Sequence, residues 1–175
     1  MTPWLIADHH FSHSNILKFT RRNGSPLRGH LWNSIDDHDS DLIQKHNAKV
    51  RPDDRVYILG DVAMNRTGLE KARLLNGRKI LISGNHDVIK NGGYDQIFES
   101  IHGAYSIGKY IMTHIPIHPG SLHRWKGNIH GHLHDGRVLL ESGEVDHRYI
   151  SVSAEIVGFE PITFGEIESR ATKSS

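Results

Sequence analysis

Seven side chains of metal-ligating type follow directly on short apolar runs in this chain. Trp4-Leu5-Ile6-Ala7 leads into Asp8 and His10, Val56-Tyr57-Ile58-Leu59 into Gly60-Asp61, and Ile80-Leu81-Ile82-Ser83 into Gly84-Asn85-His86-Asp87. Tyr110-Ile111-Met112-Thr113 ends in His114, and Asn128-Ile129-His130 opens into Gly131-His132-Leu133-His134. Imidazole, carboxylate and amide oxygen together suit divalent first-row cations. Seven such donors are enough for two ions, whose chemistry is Lewis-acid catalysis. Asp8 and His10 stand two apart, as do His132 and His134. In extended chain, positions i and i+2 face the same side, so each pair is expected to aim two ligands at one point. The glycines before Asp61, Asn85 and His132 free the backbone to turn sharply and approach the cluster closely. Asp87 is expected to hydrogen-bond the His86 ring and fix its tautomer.

Such residues converge only if the apolar runs are neighbouring strands. Short apolar runs read as buried strands, and ligands of layered α/β folds collect beyond the carboxyl ends of strands. Between the runs, helical spacing predicts a short helix over Ser14–Phe19 and a longer one over Ile35–His46, capped by Asn33 or Ser34. A further helix is predicted over Thr67–Asn76, stopped by Gly77, and a short one over Asp95–His102, closed by Gly103. The stretch Arg21–Leu31, rich in Arg, Gly and Pro, reads as a surface loop. Beyond Gly103 the runs are β-like: Ser106–Thr113, Asn128–Ile129, Arg137–Leu140 and Tyr149–Ala154, with a helix near Thr163–Arg170. Strand and helix alternate first and strands then dominate, which predicts an α/β fold of two face-to-face sheets flanked by helices, in one domain over residues 1–175.

Composition sets the bounds. A chain of 175 residues can bury a substantial core, and 37% hydrophobic with 23% charged residues is ordinary for a globular protein. The anomaly is 15 histidines with no cysteine, which excludes disulfides and thiolate zinc sites. A formal charge of +1 makes no bulk case for nucleic-acid or membrane binding. Neither a signal-peptide pattern nor a bilayer-length apolar segment stands out, so a cytoplasmic protein without membrane contact is expected.

The order Asp8-x-His10, Gly60-Asp61, Gly84-Asn85-His86-Asp87, His114, Gly131-His132-x-His134 resembles the five-block signature of the calcineurin-like metallophosphoesterases. The small stand-alone members of bacteria and phages are most similar, including Phe11, Asn15-Ile16, Asn47 and the stretch Val56–Asp61. The resemblance implies a four-layer αββα fold. It also implies one metal on Asp8, His10, Asp61 and His134 and a second on Asp61, Asn85, His114 and His132, with Asp61 bridging. His86, outside the metal shell, would contact the phosphoryl group or the leaving oxygen. Two divalent ions, two carboxylates and a bridging hydroxide leave such a site near +1, which attracts a phosphate ester. The implied reaction is in-line attack of the metal-bridging hydroxide on phosphorus. Mn2+ is the expected metal, with Fe, Zn, Co or Ni also compatible. In phosphoprotein phosphatases the second block continues to a further acid and a phosphate-gripping Arg. Here Met64 falls where the acid would be, which argues against a phosphoprotein substrate.

The chain lacks the long insertions that cap larger relatives, so an open site and a phosphodiester substrate are favoured, a nucleotide or other phosphate-ester small molecule. Monoester hydrolysis, nuclease action on nucleic acid, and a non-catalytic metal-binding scaffold remain alternatives. Asn85, His86, His118 and Arg124 are the candidate substrate contacts, and His86 and Asp87 the candidate catalytic pair. Arg21, Arg22, Arg28 and Lys126 read as solvated cations that could steer an anion, and Trp125 could stack a base. His9, His13, His123 and His130 read as surface or hydrogen-bonded histidines. Asp36, Asp37, Asp39 and Asp41 are expected on a solvated helix face.

Overall fold

The computed structural model describes residues 2–88, 90 and 92–173. The five apolar runs all become strands: β1 Trp4–Ile6, β2 Arg55–Ile58, β3 Arg78–Ile82, and later β6 Tyr110–Thr113 and β7 Gly127–His130. With β4 Ser100–His102, β5 Ala104–Ile107, β8 Tyr149–Ser151 and β9 Ile162–Thr163 they form two sheets. The first has the order β4-β3-β2-β1-β9 and the second β5-β6-β7-β8. Within the first, β1 to β4 are mutually parallel and β9 closes one edge antiparallel to β1. In the second, β6, β7 and β8 are parallel and β5 is antiparallel. One apolar cluster draws Leu5, Ile6, Val56, Ile58 and Ile82 from the first sheet and Tyr110, Met112 and Ile129 from the second. Adjacent residues Leu5 and Ile6 are both buried, as a strand covered on both faces requires.

Helices α1 Ile35–Lys49, α2 Arg66–Arg73, α3 Ala154–Val157 and α4 Phe164–Lys173 flank the sheets. The Ser34 hydroxyl accepts from the Asp37 amide at 3.1 Å and starts α1, and Asn65 does the same for α2 through the Gly68 amide at 2.8 Å. Asn47 of α1 donates to the Leu74 carbonyl and accepts from the Asn76 amide, bracing the end of α2. No helix among the described residues is long and apolar enough to cross a membrane.

Several local expectations give way to tertiary structure. The helix predicted over Asp95–His102 is a single 3-10 turn, Tyr94–Gln96, followed by β4. The backbone groups on that side of β3 need partners, and the extended chain supplies them: Glu99 donates to the Lys79 carbonyl and Ser83 to that of His102, both at 2.8 Å. The run Ser106–Thr113 is split by a turn at Gly108 (φ +53°) into β5 and β6. Of Arg137–Leu140, only the bridge from Leu139 to Val145 is β-like.

The four aspartates of α1 are not one solvated face. Asp36 and Asp37 are exposed, but Asp39 is fully buried and accepts from the Ser12 amide (3.0 Å), the Ser12 hydroxyl (3.2 Å) and His38 Nδ1 (2.9 Å). A buried carboxylate tolerates desolvation only with its acceptor sites filled, and α1 thereby clamps the loop after β1. Truncating Asp39 to Ala strands these donors and is expected to cost about 2–3 kcal/mol, whereas Asp36→Ala should stay within about 0.5 kcal/mol. Urea denaturation of the two variants checks the contrast.

Candidate metal centre

All seven donors leave the sheets at the carboxyl ends of parallel strands: Asp8 and His10 after β1, Asp61 after β2, Asn85 after β3, His114 after β6, His132 and His134 after β7. The loops after β1 and β2 keep pairing beyond the sheet. Asp8 donates to the Gly60 carbonyl, His10 to that of Asp61 and Phe11 to that of Val62, each at 2.9–3.0 Å. Ala7 bridges to Ser153 beyond β8, through bonds to Val152 and Ala154, and so ties the first sheet to the second beside the cluster. The i, i+2 pairs are not extended, contrary to expectation. Asp8, His10, His132 and His134 have φ of 60°, 54°, 68° and 52°, and Asp61 has 51°. A left-handed residue turns the chain back within one peptide, so both ligands of a pair still face one point. Gly60, at φ +81°, lies so near the next loops that a β-carbon there would come within 2.6 Å of the Gly84 nitrogen and of His114 Nδ1.

The donors gather into two triads, Asp8–His10–His134 and Asp61–His114–His132; within each, one ligand atom per residue lies within 4.8 Å of the others. The Asp61 carboxylate of the second triad also faces the first, with Oδ1 3.3 Å from His114 Nε2 and Oδ2 3.7 Å from His10 Nε2. Burial works to raise the Asp61 carboxyl, but His114 and the His86 amide outweigh it and hold it below the ordinary value. Asn85 Oδ1 is 3.1 Å from His114 Nε2. Second hydrogen bonds orient two rings: His114 Nδ1 faces the Leu59 carbonyl at 2.8 Å and His134 Nδ1 faces Glu155 Oε1 at 2.9 Å. Each ring thereby keeps its Nε2 lone pair for the cluster.

Two features fit this donor set to cations. His10 Nε2 is buried without a hydrogen-bond partner, a lone pair aimed at Asp61 with nothing to receive it. Asp8 is fully buried; desolvation pushes its carboxyl up to about 6 although His134 and His114 pull it down. A cation between these groups satisfies both, since it favours the carboxylate and takes the imidazole lone pair.

His86 sits at the mouth, its side chain 39% exposed and its Nε2 4.0 Å from Asp61 Oδ2. Asp87 does not orient it. Among the described residues no hydrogen bond joins them; the Asp87 carboxylate is buried and accepts from the amides of Asp61 (3.0 Å), Val62 (2.9 Å) and Gly84 (2.8 Å). It therefore locks the loops after β2 and β3 together, its oxygens engaged by three loop amides and approached by the Tyr94 hydroxyl at 3.5 Å instead of by the His86 ring. His118 caps a 3-10 turn, Pro119–Arg124, by accepting from the Gly120 amide, and Arg124 is exposed at the end of that turn. Neither has a hydrogen bond, ion pair or ring contact with the triads among the described residues.

Two charged residues essential to this geometry escape sequence reading. Arg28, expected as a solvated cation, is fully buried beneath the cluster. It donates to Glu155 Oε1 (2.7 Å) and to the carbonyls of Asp8 (2.6 Å) and His9 (3.1 Å), and its Nη1 lies 3.0 Å from His38 Nε2. Glu155 joins Arg28 to His134; burial alone would raise its carboxyl, but Arg28 and His134 bring it down to about 2. The run Tyr149–Ala154 ends in this acid just as the other runs end in ligands, which is the one sequence signal that could have found it. Nothing local marks Arg28.

The uncharacterized protein MJ1445 of Methanocaldococcus jannaschii is 32% identical over 166 residues, covering 91% of this chain and 85% of its own length. The Gene 66 protein of Mycobacterium phage L5 is 27% identical over 191 residues, covering 89% and 87%. Among solved structures, the protein of unknown function AQ665 from Aquifex aeolicus superposes with a TM-score of 0.70 at 23% identity, over 96% of this chain and 98% of that one, so the two share a fold. Looser superpositions are with Pseudomonas putida nuclease MPE (TM-score 0.47, 18% identity, 81% and 65% covered) and a novel archaeal phosphodiesterase (0.45, 20%, 87% and 82%). No family model matches the sequence.

Glu155→Gln keeps the size of the side chain but loses the charge that pairs with Arg28 and orients His134. It is expected to weaken divalent-metal affinity by about 10- to 100-fold, read by chelator competition in protein whose circular dichroism is unchanged.

Proposed function

We propose that the chain is a calcineurin-like metallophosphoesterase, a dinuclear metal-dependent phosphoesterase that prefers phosphodiesters. The observation that carries this reading is that the Asp61 carboxylate faces both groups of ligands, with imidazole nitrogens of His10 and His114 3.7 and 3.3 Å from its two oxygens. Asp8, His10 and His134 would hold one ion, Asn85, His114 and His132 the other, and Asp61 both. Two divalent ions there would supply Lewis acidity toward phosphoryl oxygens and bring the pKa of water from 15.7 towards about 7. A donor set of imidazole, carboxylate and amide oxygen suits Mn2+, Fe2+, Zn2+, Co2+ and Ni2+ alike, and Mn2+ is the ion we propose.

The residues divide the remaining work. As the new P–O bond forms from water and the ester P–O bond breaks, His86 is the imidazole exposed at the mouth that can deliver a proton to the departing oxygen. Asp87 acts at one remove, by fixing the backbone from which Asp61 and His86 project. Diesters are favoured because Arg28 is turned to main-chain carbonyls and Glu155, behind the ligands. No Lys or Arg among the described residues contacts the donor side chains from the open side to offset the second charge of a monoester.

Metal-stripped protein reconstituted with Mn2+ is expected to hydrolyse bis(p-nitrophenyl) phosphate faster than p-nitrophenyl phosphate. Asp61→Asn should abolish both activities together with metal retention; a fully active, metal-saturated Asp61→Asn protein would overturn the reading. His86→Ala should retain its metal and lose about 10²- to 10⁴-fold in kcat on an alkyl-ester leaving group. Its loss on the nitrophenyl ester should be smaller, because nitrophenolate departs without a proton.

A further inference from the structure

Beside His134 the surface opens into a groove of about 930 Å3 between two loops. Lys18, Phe19, Arg21 and Arg22 line one wall, Asp135, Arg137 and Leu139 the other, and His134 itself reaches the lining. We propose that this groove holds the nucleotides flanking the scissile phosphate of a single-stranded nucleic acid, so that the phosphoesterase acts on a polynucleotide strand. The inference rests on the phosphoesterase reading and deepens it by naming the substrate class.

Three observations carry it. The first is charge: four cations face one acid in the groove, on a chain whose formal charge is only +1. Arg21 is held in place, pairing with Asp135 of the facing wall at 3.1 Å and donating to the carbonyls of Pro26 and Leu27, so it ties the two walls together. Lys18 and Arg22 are exposed, and among the described residues their side chains have no hydrogen bond or ion pair, so they are free to meet phosphates. The second is aromatic surface. Phe19 is 42% exposed, an unusual place for a large apolar ring, and Leu139 on the opposite wall is 52% exposed. An exposed ring between cations is the platform on which an unpaired base stacks, whatever its identity.

The third is continuity with the metal centre. Phe19 meets the His13 ring edge-on at 5.8 Å, and His13 lies 5.4 Å from the His10 ring and 6.3 Å from that of His86. The stacking surface is thus one imidazole from the ligands and from the proton donor. A strand whose scissile phosphate lies at the ions the two triads would hold can place its next base on Phe19 and its next phosphates among Lys18, Arg22 and Arg137. A duplex keeps its bases paired and offers nothing to the ring. A mononucleotide would leave most of the groove unused, since its volume is near the upper end of the ~300–1,000 Å3 typical of ligand clefts.

The test is binding of a short fluorescein-labelled single-stranded DNA of mixed sequence to the full chain in EDTA, followed by anisotropy across a salt series. Wild-type protein should bind with strongly salt-dependent affinity. Lys18→Ala/Arg22→Ala/Arg137→Ala should weaken binding at least tenfold and flatten the log–log salt slope by about 2, because each neutralised phosphate of a single strand adds ~0.7 to that slope. Phe19→Ala should weaken it by roughly tenfold with the slope unchanged, since a stacked base releases no counterion. Removing three exposed cations elsewhere, Arg51→Ala/Arg55→Ala/Lys109→Ala, should leave both quantities as they were. The inference is overturned if single strands do not bind, if a duplex or a mononucleotide competes as well as the single strand, or if the control variant loses as much as the groove variant. Binding by a protein that hydrolyses no ester would sink the hydrolase reading and leave the groove standing; ester hydrolysis without strand binding would do the reverse.

Discussion

Five of the seven donor residues hold the left-handed backbone conformation that side chains other than glycine usually avoid, and the candidate centre depends on that constraint. Each such residue costs of order 1–3 kcal/mol and persists only where its surroundings leave no alternative. Here the surroundings are specific. Asp8, His10 and Phe11 donate to successive carbonyls of the loop after β2, and Asp87 gathers three amides from the loops after β2 and β3. The His132 amide is held by the Asp8 carboxylate, at 3.0–3.1 Å from its two oxygens, so one ligand fixes the backbone of another. The strain gathers where donors must converge from five strand ends, and the parallel sheets below provide the rigid frame that sustains it.

Beneath the ligands lies a second device, a buried polar chain running from Asp39 through His38, Arg28 and Glu155 to His134. Arg28 places a full positive charge under the carbonyls of Asp8 and His9, where the left-handed turn leaves those oxygens without a strand partner. Glu155 neutralises that charge and passes orientation on to His134. Removing either member of this pair would leave the other as an uncompensated buried charge, so Arg28 and Glu155 hold the loop after β1 only together. Above it, Asp8 and His10 are buried groups whose natural partner is a cation. Metal binding and the order of these loops are therefore expected to be linked.

What is legible in the sequence follows from the range of each interaction. The strand ends and their ligands stand together in short segments, so an apolar run followed by Asp, Asn or His reveals both the element and its chemistry. The cap at Ser34 is equally local, whereas α2 ends at Arg73, short of the expected Asn76, and Gly77 (φ +102°) turns the chain into β3 instead of stopping the helix. Asp87 misleads because proximity to His86 in sequence says nothing about loop amides 25 and 26 residues away that claim its oxygens first. Arg28 and Glu155 are 127 residues apart, and neither residue type signals burial. Asp39 hides among neighbours that are solvated, as only the loop after β1 distinguishes it. β4 is equally hidden because the half-buried Ser100, Ile101 and His102 carry little strand pattern, and what makes them a strand is the bonding need of β3.

The proposed centre turns on one shared carboxylate. Diffraction from crystals soaked in Mn2+, recorded for anomalous scattering, tests it most directly. It predicts two peaks flanking Asp61, one among Asp8, His10 and His134 and the other among Asn85, His114 and His132, each about 2.0–2.2 Å from its nearest donors. A single peak that leaves Asp61 uncoordinated, or ions bound away from both triads, would contradict it.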